Sequence, residues 1–179
     1  MGEVTRNQFV EALHVADRKL DHFAWTFRAK ADAMNLWPLC LGFWAREDLT
    51  SAIIVRLSKR TPVVANLQLL HTFARFRRRR FAKLLVESQY AAAVTNGARY
   101  FRVSSEPGAL PFYRSLGFKF FGEQKSGSSL SIFKIHNPGL TGYGDIWDGI
   151  YDPDDPVIRA AVFSGRRGGV VRLDTGGPR

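Results

Sequence analysis

Arg75 and the run Arg77-Arg78-Arg79-Arg80 follow directly on an apolar stretch that ends at Phe73. Just past them, Phe81, Leu84, Leu85, Ser88 and Ala92 recur at intervals of three or four, the period of a helix. A strand that hands over to a helix through a tight turn leaves the free N–H groups of the first helical turn, and the positive end of the helix dipole, facing that turn. The corner is an anion site, and five guanidiniums around it add fixed positive charge. Arginine stays protonated at neutral pH, so its chemistry here is binding: a pyrophosphate or a phosphodiester. Proton chemistry has to come from elsewhere. His71, two residues before Phe73, titrates near neutrality and can take a proton from an amine directly or through a water. Glu106 is either a carboxylate base or the cap of the helix that starts near Ala109, and Ser104 can orient an acceptor or polarise a carbonyl.

No metal is expected. The four histidines, His14, His22, His71 and His136, are far apart, and Asp145, Asp148, Asp152, Asp154 and Asp155 do not follow a calcium-loop pattern. Cys40 is the single cysteine, so neither an intrachain disulfide nor a cysteine-based zinc site is possible, and a small buried apolar role suits it.

These residues need a scaffold. Thr5 and Gln8 have capping-box spacing, and the apolar pattern behind them predicts a helix over 5–22. Residues 23–35 read as a short strand and then a helical piece. Leu39–Ala45 and Ser51–Leu57 read as a hairpin, with Asp48 in its turn and Lys59-Arg60-Thr61-Pro62 in the next. Val63–Phe73 is nearly continuous in apolar character, as expected of a central strand buried on both faces. The following helix ends at Asn96-Gly97. A strand over Tyr100–Ser104, a turn at Glu106-Pro107-Gly108, a helix over Ala109–Leu116 stopped by Gly117, and strands over Phe118–Phe121 and Leu130–Ile135 complete the order. Strands and helices mixed in this way predict an α/β domain over 1–163, with a mobile Gly/Arg-rich tail over 164–179. The acidic stretch over 145–155, with Trp147 and Tyr151, reads as charge balance or as a flap over the basic face.

Two blocks carry a family resemblance. Phe76-Arg77-Arg78-Arg79-Arg80-Phe81-Ala82-Lys83-Leu84-Leu85 resembles the signature turn of the GCN5-related N-acetyltransferase (GNAT) superfamily, roughly Arg/Gln-x-x-Gly-x-Gly/Ala, with Arg77 at its first position and Ala82 at its last. Arg80 stands at the central glycine, where a side chain either blocks the approach of a phosphate or swings outward and binds it. Ala109-Leu110-Pro111-Phe112-Tyr113-Arg114-Ser115-Leu116-Gly117-Phe118 is similar to the family's second block, and Glu106 falls where many members have asparagine. The resemblance covers about 39–135. It implies a mostly antiparallel mixed sheet flanked by helices, acyl-CoA as cofactor, and acyl transfer to an amine. It further implies that Leu70, His71, Thr72 and Phe73 hold the thioester and its arm by their backbone, that Arg77, Arg78, Arg79, Arg80, Phe81, Ala82 and Phe112 complete the cofactor site, and that Tyr113 gives a proton to the leaving sulfur.

The charge bears on the acceptor. The chain carries 26 Lys and Arg against 16 Asp and Glu, a formal net charge of +10. Such a field draws polyanions. If Arg99, Arg102 and Arg114 share a face with Arg75–Arg80, they form a phosphate track, so a nucleic-acid acceptor is expected, DNA before RNA. The basic character and altered turn are similar to the phage Mom-type DNA-modifying proteins, which implies an adenine amino group. Other readings are a nucleic-acid-binding module on a decayed acyltransferase fold, or a small-amine or peptide acetyltransferase. No run of about 20 apolar residues is present to cross a membrane, so no membrane partner is expected, and a cytoplasmic location is the default.

Overall fold

The computed structural model describes residues 1–15, 22–37, 40–59, 63–134 and 170–173. They form strands β1 (Gly2–Glu3), β2 (Cys40–Ala45), β3 (Asp48–Leu57), β4 (Val63–Thr72), β5 (Ala98–Ser105), β6 (Lys119–Gln124), β7 (Ser129–Lys134) and β8 (Val170–Leu173). Helices α1 (Arg6–Val15), α2 (His22–Ala33), α3 (Phe81–Thr95) and α4 (Leu110–Ser115) accompany them. This is the mixed α/β architecture the element order predicts, antiparallel between β1 and β2, β2 and β3, β5 and β7, β7 and β6, and β6 and β8. The chain divides into two compact units, Met1–Arg56 with Leu67–Tyr90, and Leu57–Asn66 with Ala91–Arg179.

In the first unit the strand order is β1-β2-β3-β4. The capping box forms as the spacing predicts: the Thr5 amide donates to Gln8 Oε1 at 2.8 Å and the Gln8 amide donates back to Thr5 Oγ1 at 3.3 Å. Phe9 and Leu13 then point inward, and Phe9 stacks on Phe27 of α2 at 4.7 Å. With Ile54, Phe73 and Phe76 they build the core of this unit, where each large apolar side chain contributes about 1.5–3 kcal/mol before entropy is charged. Cys40 is buried in it, and burial pushes the thiol up to about 12, so it acts as a small apolar side chain.

Several expectations need correction. The first helix is described over Arg6–Val15, residues 16–21 of the expected span lie outside the described ones, and His22 already opens α2. Residues 22–33 are one helix rather than a strand and a helical piece, because Ala24, Phe27 and Ala31 keep the helical period. Asp48 is not in the turn but opens β3 opposite Ala45. Arg46 and Glu47 make that turn, with Arg46 at φ 58°. β4 is not sealed on both faces. Ala65, Leu67 and His71 are buried, whereas Leu69 and Leu70 remain half-exposed. Composition reports how apolar a strand is, and the elements laid on each face decide how much of it is covered.

In the second unit β5 pairs with β7, β7 with β6 and β6 with β8. β8 lies inside the stretch read as a mobile tail, and there Gly122 opposes Leu173 and Gln124 opposes Val170. Four residues carry too short a pattern to be read without their partner strand. Turn 59–62 beyond Lys59, the acidic stretch 145–155 and the remainder of 164–179 lie outside the described residues.

Candidate acyl-transfer site

β4 ends at Thr72, and Phe73 closes it with its amide on the Thr50 carbonyl at 3.1 Å. A single 3-10 turn follows over Ala74–Phe76, and then the chain bends through Arg77–Arg80 into α3. Two residues of that bend are left-handed, Arg78 at φ 63° and Arg80 at φ 66°. A left-handed residue with a β-carbon costs roughly 1–2 kcal/mol, which is why glycine is usual there. Arg80 therefore accepts the backbone conformation that a glycine would take, and its side chain goes outward and exposed. Its carbonyl receives the Leu84 amide at 3.0 Å, so Arg80 caps the helix and the amides of the first turn lack intrahelical partners.

The arginines sort themselves by partner. Arg75 is held by Asp48 at 2.8 Å and lies over the Phe76 ring at 4.6 Å. Arg79 approaches the same ring at 5.9 Å. Arg77 Nε donates to the Thr72 carbonyl at 3.2 Å, which ties the bend back to the strand end. Arg78 and Arg80 make no ion pair with any described residue. This is the electrostatics of an anion site: exposed cations, oriented amides, and one acidic neighbour already spent on Arg75.

His71 sits on the opposite face of β4 from Leu70 and Thr72. Its ring is buried, 6.5 Å from Phe9, 6.2 Å from Phe27 and 5.1 Å from Phe73. Placing a positive charge among three phenyl rings is costly, so this setting favours packing over proton exchange. Phe73 belongs to the same core, and its backbone is already engaged, the amide on the Thr50 carbonyl and the carbonyl on the Phe76 amide at 2.9 Å, which speaks against the expected hold on an acyl arm. Phe81 packs on Phe43 at 4.9 Å, and Ala82 is half-buried in the first turn of α3.

The remaining predicted residues belong to the second unit. Tyr113 of α4 is buried, its ring edge-on to Phe112 at 5.1 Å and to Phe118 at 5.6 Å. Burial raises its phenol well above the ordinary tyrosine value, so the proton stays on the oxygen throughout the neutral range. Among the described residues no group hydrogen-bonds that hydroxyl. A packed ring with a protonated tip is suited to giving a proton. Ser104 is exposed near the end of β5. Glu106 is exposed as well, and it does not cap the following 3-10 turn with its side chain, although its carbonyl accepts the Ala109 amide at 2.9 Å. The expected arginine track also fails within this unit. Arg99 and Arg102 are three apart on one strand, so they project from opposite faces. Arg102 is largely desolvated, which lowers its pKa, whereas Arg99 is exposed. Arg114 is exposed and lies over Phe120 at 5.4 Å.

Sequence reasoning missed Ser51. It is fully buried on β3, donates to the His71 carbonyl at 2.7 Å and meets Thr72 Oγ1 at 2.8 Å. Twenty residues separate Ser51 from His71, and no local pattern announces such a contact. Among the described residues no His/Cys/Asp/Glu group could hold a metal, and no helix is long and apolar enough to cross a membrane.

Residues 38–134, more than half of the chain, match the acetyltransferase (GNAT) domain. The chain belongs to the GNAT acetyltransferase family. The match spans β2 through β7 and includes both motif blocks. Solved GNAT-fold structures agree on the architecture. The PaiA N-acetyltransferase from Thermoplasma acidophilum, solved with coenzyme A, superposes with a TM-score of 0.59 at 15% identity, covering 74% of this chain and 96% of its own. Ard1 from Thermoplasma volcanium gives 0.58 at 16% identity, over 75% and 96%. An acetyltransferase from Thermus thermophilus gives 0.55 at 15% identity, over 75% and 95%. At such identities the likeness speaks for the fold. No curated protein matches in sequence.

Proposed function

We propose that this GNAT acyltransferase takes its acyl group from acyl-CoA at the arginine turn and delivers it to an amine carried on a nucleic acid. The observation that carries the cofactor half is Arg80 at φ 66°. The turn keeps a glycine-like backbone at the position where the family has glycine, so its amides stay available to a pyrophosphate despite the substitution. The PaiA structure contains coenzyme A, which supports the same cofactor here. Arg77, Arg78, Arg79 and Arg80, with the amides of Phe81 and Ala82, would hold the phosphates. The end of β4 over Leu70–Thr72 would hold the arm.

Bound acyl-CoA supplies an activated thioester carbonyl and a thiolate leaving group. The chain's own part is positioning and one proton. A strand end locked to β3 would steady the acyl arm, and effective molarity would do much of the work once the amine is beside it. Tyr113 keeps its proton at neutral pH because its charged form is desolvated, and by the family resemblance it would supply that proton to the leaving sulfur. The amine must arrive neutral. Its base is not His71 in this reading, and exposed Glu106 is the candidate that solvent can reach.

The nucleic-acid acceptor is supported by charge. The formal net charge is +10, and Arg78, Arg80 and Arg99 are exposed. Arg78 and Arg80 surround a turn whose near acid is already neutralised by Arg75. DNA is the first acceptor to test, with the adenine amino group as the class of target, reachable once a base is flipped. The experiment is incubation with acetyl-CoA and, separately, single- and double-stranded DNA, tRNA, polyamines and a lysine peptide, followed by mass analysis. An acetyl adduct on nucleic acid is expected. Turnover of the polyamine or peptide alone overturns the acceptor and leaves the acyltransferase intact.

A further inference from the structure

Ser51 has one hydroxyl proton, and the carbonyl it faces can only accept. The 2.7 Å contact from Ser51 Oγ to the His71 carbonyl therefore uses that proton. It follows that the 2.8 Å contact between Ser51 and Thr72 runs the other way, with Thr72 donating. The relay is Thr72 to Ser51 to the backbone of His71, and it closes at a carbonyl. Ser51 is fully buried in β3, so solvent does not compete for its own hydroxyl proton. Two consequences reach Thr72. Its hydroxyl proton is committed to Ser51, and only lone pairs are left for any further partner. Its own carbonyl is already taken by Arg77 Nε at 3.2 Å. Thr72 is half-buried at the last position of β4, and its side chain makes no further hydrogen bond among the described residues. What it offers a ligand is one oriented acceptor.

We infer that the Thr72 hydroxyl, locked as an acceptor by Ser51, receives an amide N–H of the acyl-CoA arm, with Ser51 as its positioning residue. This rests on the acyl-CoA reading above. An amide N–H on an extended chain is the kind of donor such a fixed oxygen selects, and the phosphates at the neighbouring turn offer no donor at neutral pH. Thr72 therefore recognises the arm, while Arg77–Arg80 recognise the phosphates.

The two halves of the cofactor can be separated with two probes, coenzyme A and adenosine 3′,5′-bisphosphate, which lacks the arm. Calorimetry with both should show that Thr72→Val weakens coenzyme A by about 2- to 12-fold, the range of one neutral hydrogen bond, and leaves the bisphosphate unchanged. Thr72→Ser should restore coenzyme A binding. Ser51→Ala should act in the same direction as Thr72→Val, because it frees the hydroxyl to rotate, and it provides a second variant if Thr72→Val does not fold. In turnover the loss should fall on KM for acetyl-CoA, with kcat retained. Wild-type coenzyme A affinity in a folded Thr72→Val protein overturns the inference. So does an equal loss of both probes, which would mark a structural effect on the turn. Wild-type protein that binds neither probe sinks the acyl-CoA reading itself, and this inference with it.

Discussion

Replacing Arg80 with glycine should make the protein more stable, although it deletes a side chain from the most charged corner of the molecule. Arg80 holds φ 66°, which costs an L-residue roughly 1–2 kcal/mol relative to glycine. Glycine returns part of this by widening the unfolded ensemble, about 0.4–1 kcal/mol. The difference is a net gain of about 0.5–1 kcal/mol. Relief of repulsion from Arg78 and Arg79 adds to it at low salt and fades as salt screens the charges. For a chain of this length that gain corresponds to a Tm increase of about 1–4 °C. Urea denaturation followed by circular dichroism would measure it, with the m-value as a check that the unfolded state is comparable. Arg80→Ala is the decisive control. It removes the same charge and keeps the β-carbon in the left-handed region, so Gly should exceed Ala by about 1 kcal/mol. If Arg80→Ala is as stable as Arg80→Gly, the backbone carries no strain at this position and the reasoning about the turn fails.

Three further outcomes are expected. Tyr113→Phe should lower kcat by about 100-fold, the low end for a lost proton donor, with coenzyme A affinity retained; unchanged turnover assigns the tyrosine to packing alone. Asp32 accepts from Trp37 Nε1 at 2.7 Å and from Arg6 Nε at 2.9 Å, with Arg28 Nε at 3.7 Å, and the Trp37 bond first and the arginines after it lower its pKa below 3.8. A depressed folded pKa means stability that is present above the ordinary carboxylate value and lost as pH falls through the folded one, so Asp32→Asn should flatten the acid limb of a stability–pH curve below pH 3.8. A β-carbon added at Gly42 would run into the side chains of Val4 and Leu49, so Gly42→Ala should destabilise by about 1–3 kcal/mol and lower the urea midpoint at constant m.

Much of the site was legible before any coordinates. The change from continuous apolar character to helical period placed the turn between Phe73 and Lys83, and α3 begins at Phe81. Thr5 and Gln8 announced α1, and Asn96-Gly97 its counterpart at the end of α3, where Gly97 takes φ 74° and its amide bonds the Val94 carbonyl at 2.9 Å. Even the opposite facing of Arg99 and Arg102 follows from their spacing once β5 is known to be unbroken there. Other features had no local signal. β1 and β8 are too short to show a period and exist by pairing with β2 and β6. His71 reads as a proton acceptor in a list of residue types and turns out to be enclosed by Phe9, Phe27 and Phe73, two of them contributed by helices far upstream in the chain.

Sequence alone determined the family, the strand-to-helix corner and the positive charge gathered on it, because periodicity, capping chemistry and a motif are properties of neighbouring residues. Tertiary structure decided what each group at that corner is free to do. It let Arg80 occupy a glycine's conformation, spent Arg75 on Asp48, sealed His71 among rings, and turned Thr72 into an acceptor through Ser51. Those outcomes depend on which donor and which ring arrive from distant parts of the chain, and a hydroxyl's direction or an imidazole's solvation is set by that company rather than by the residue itself.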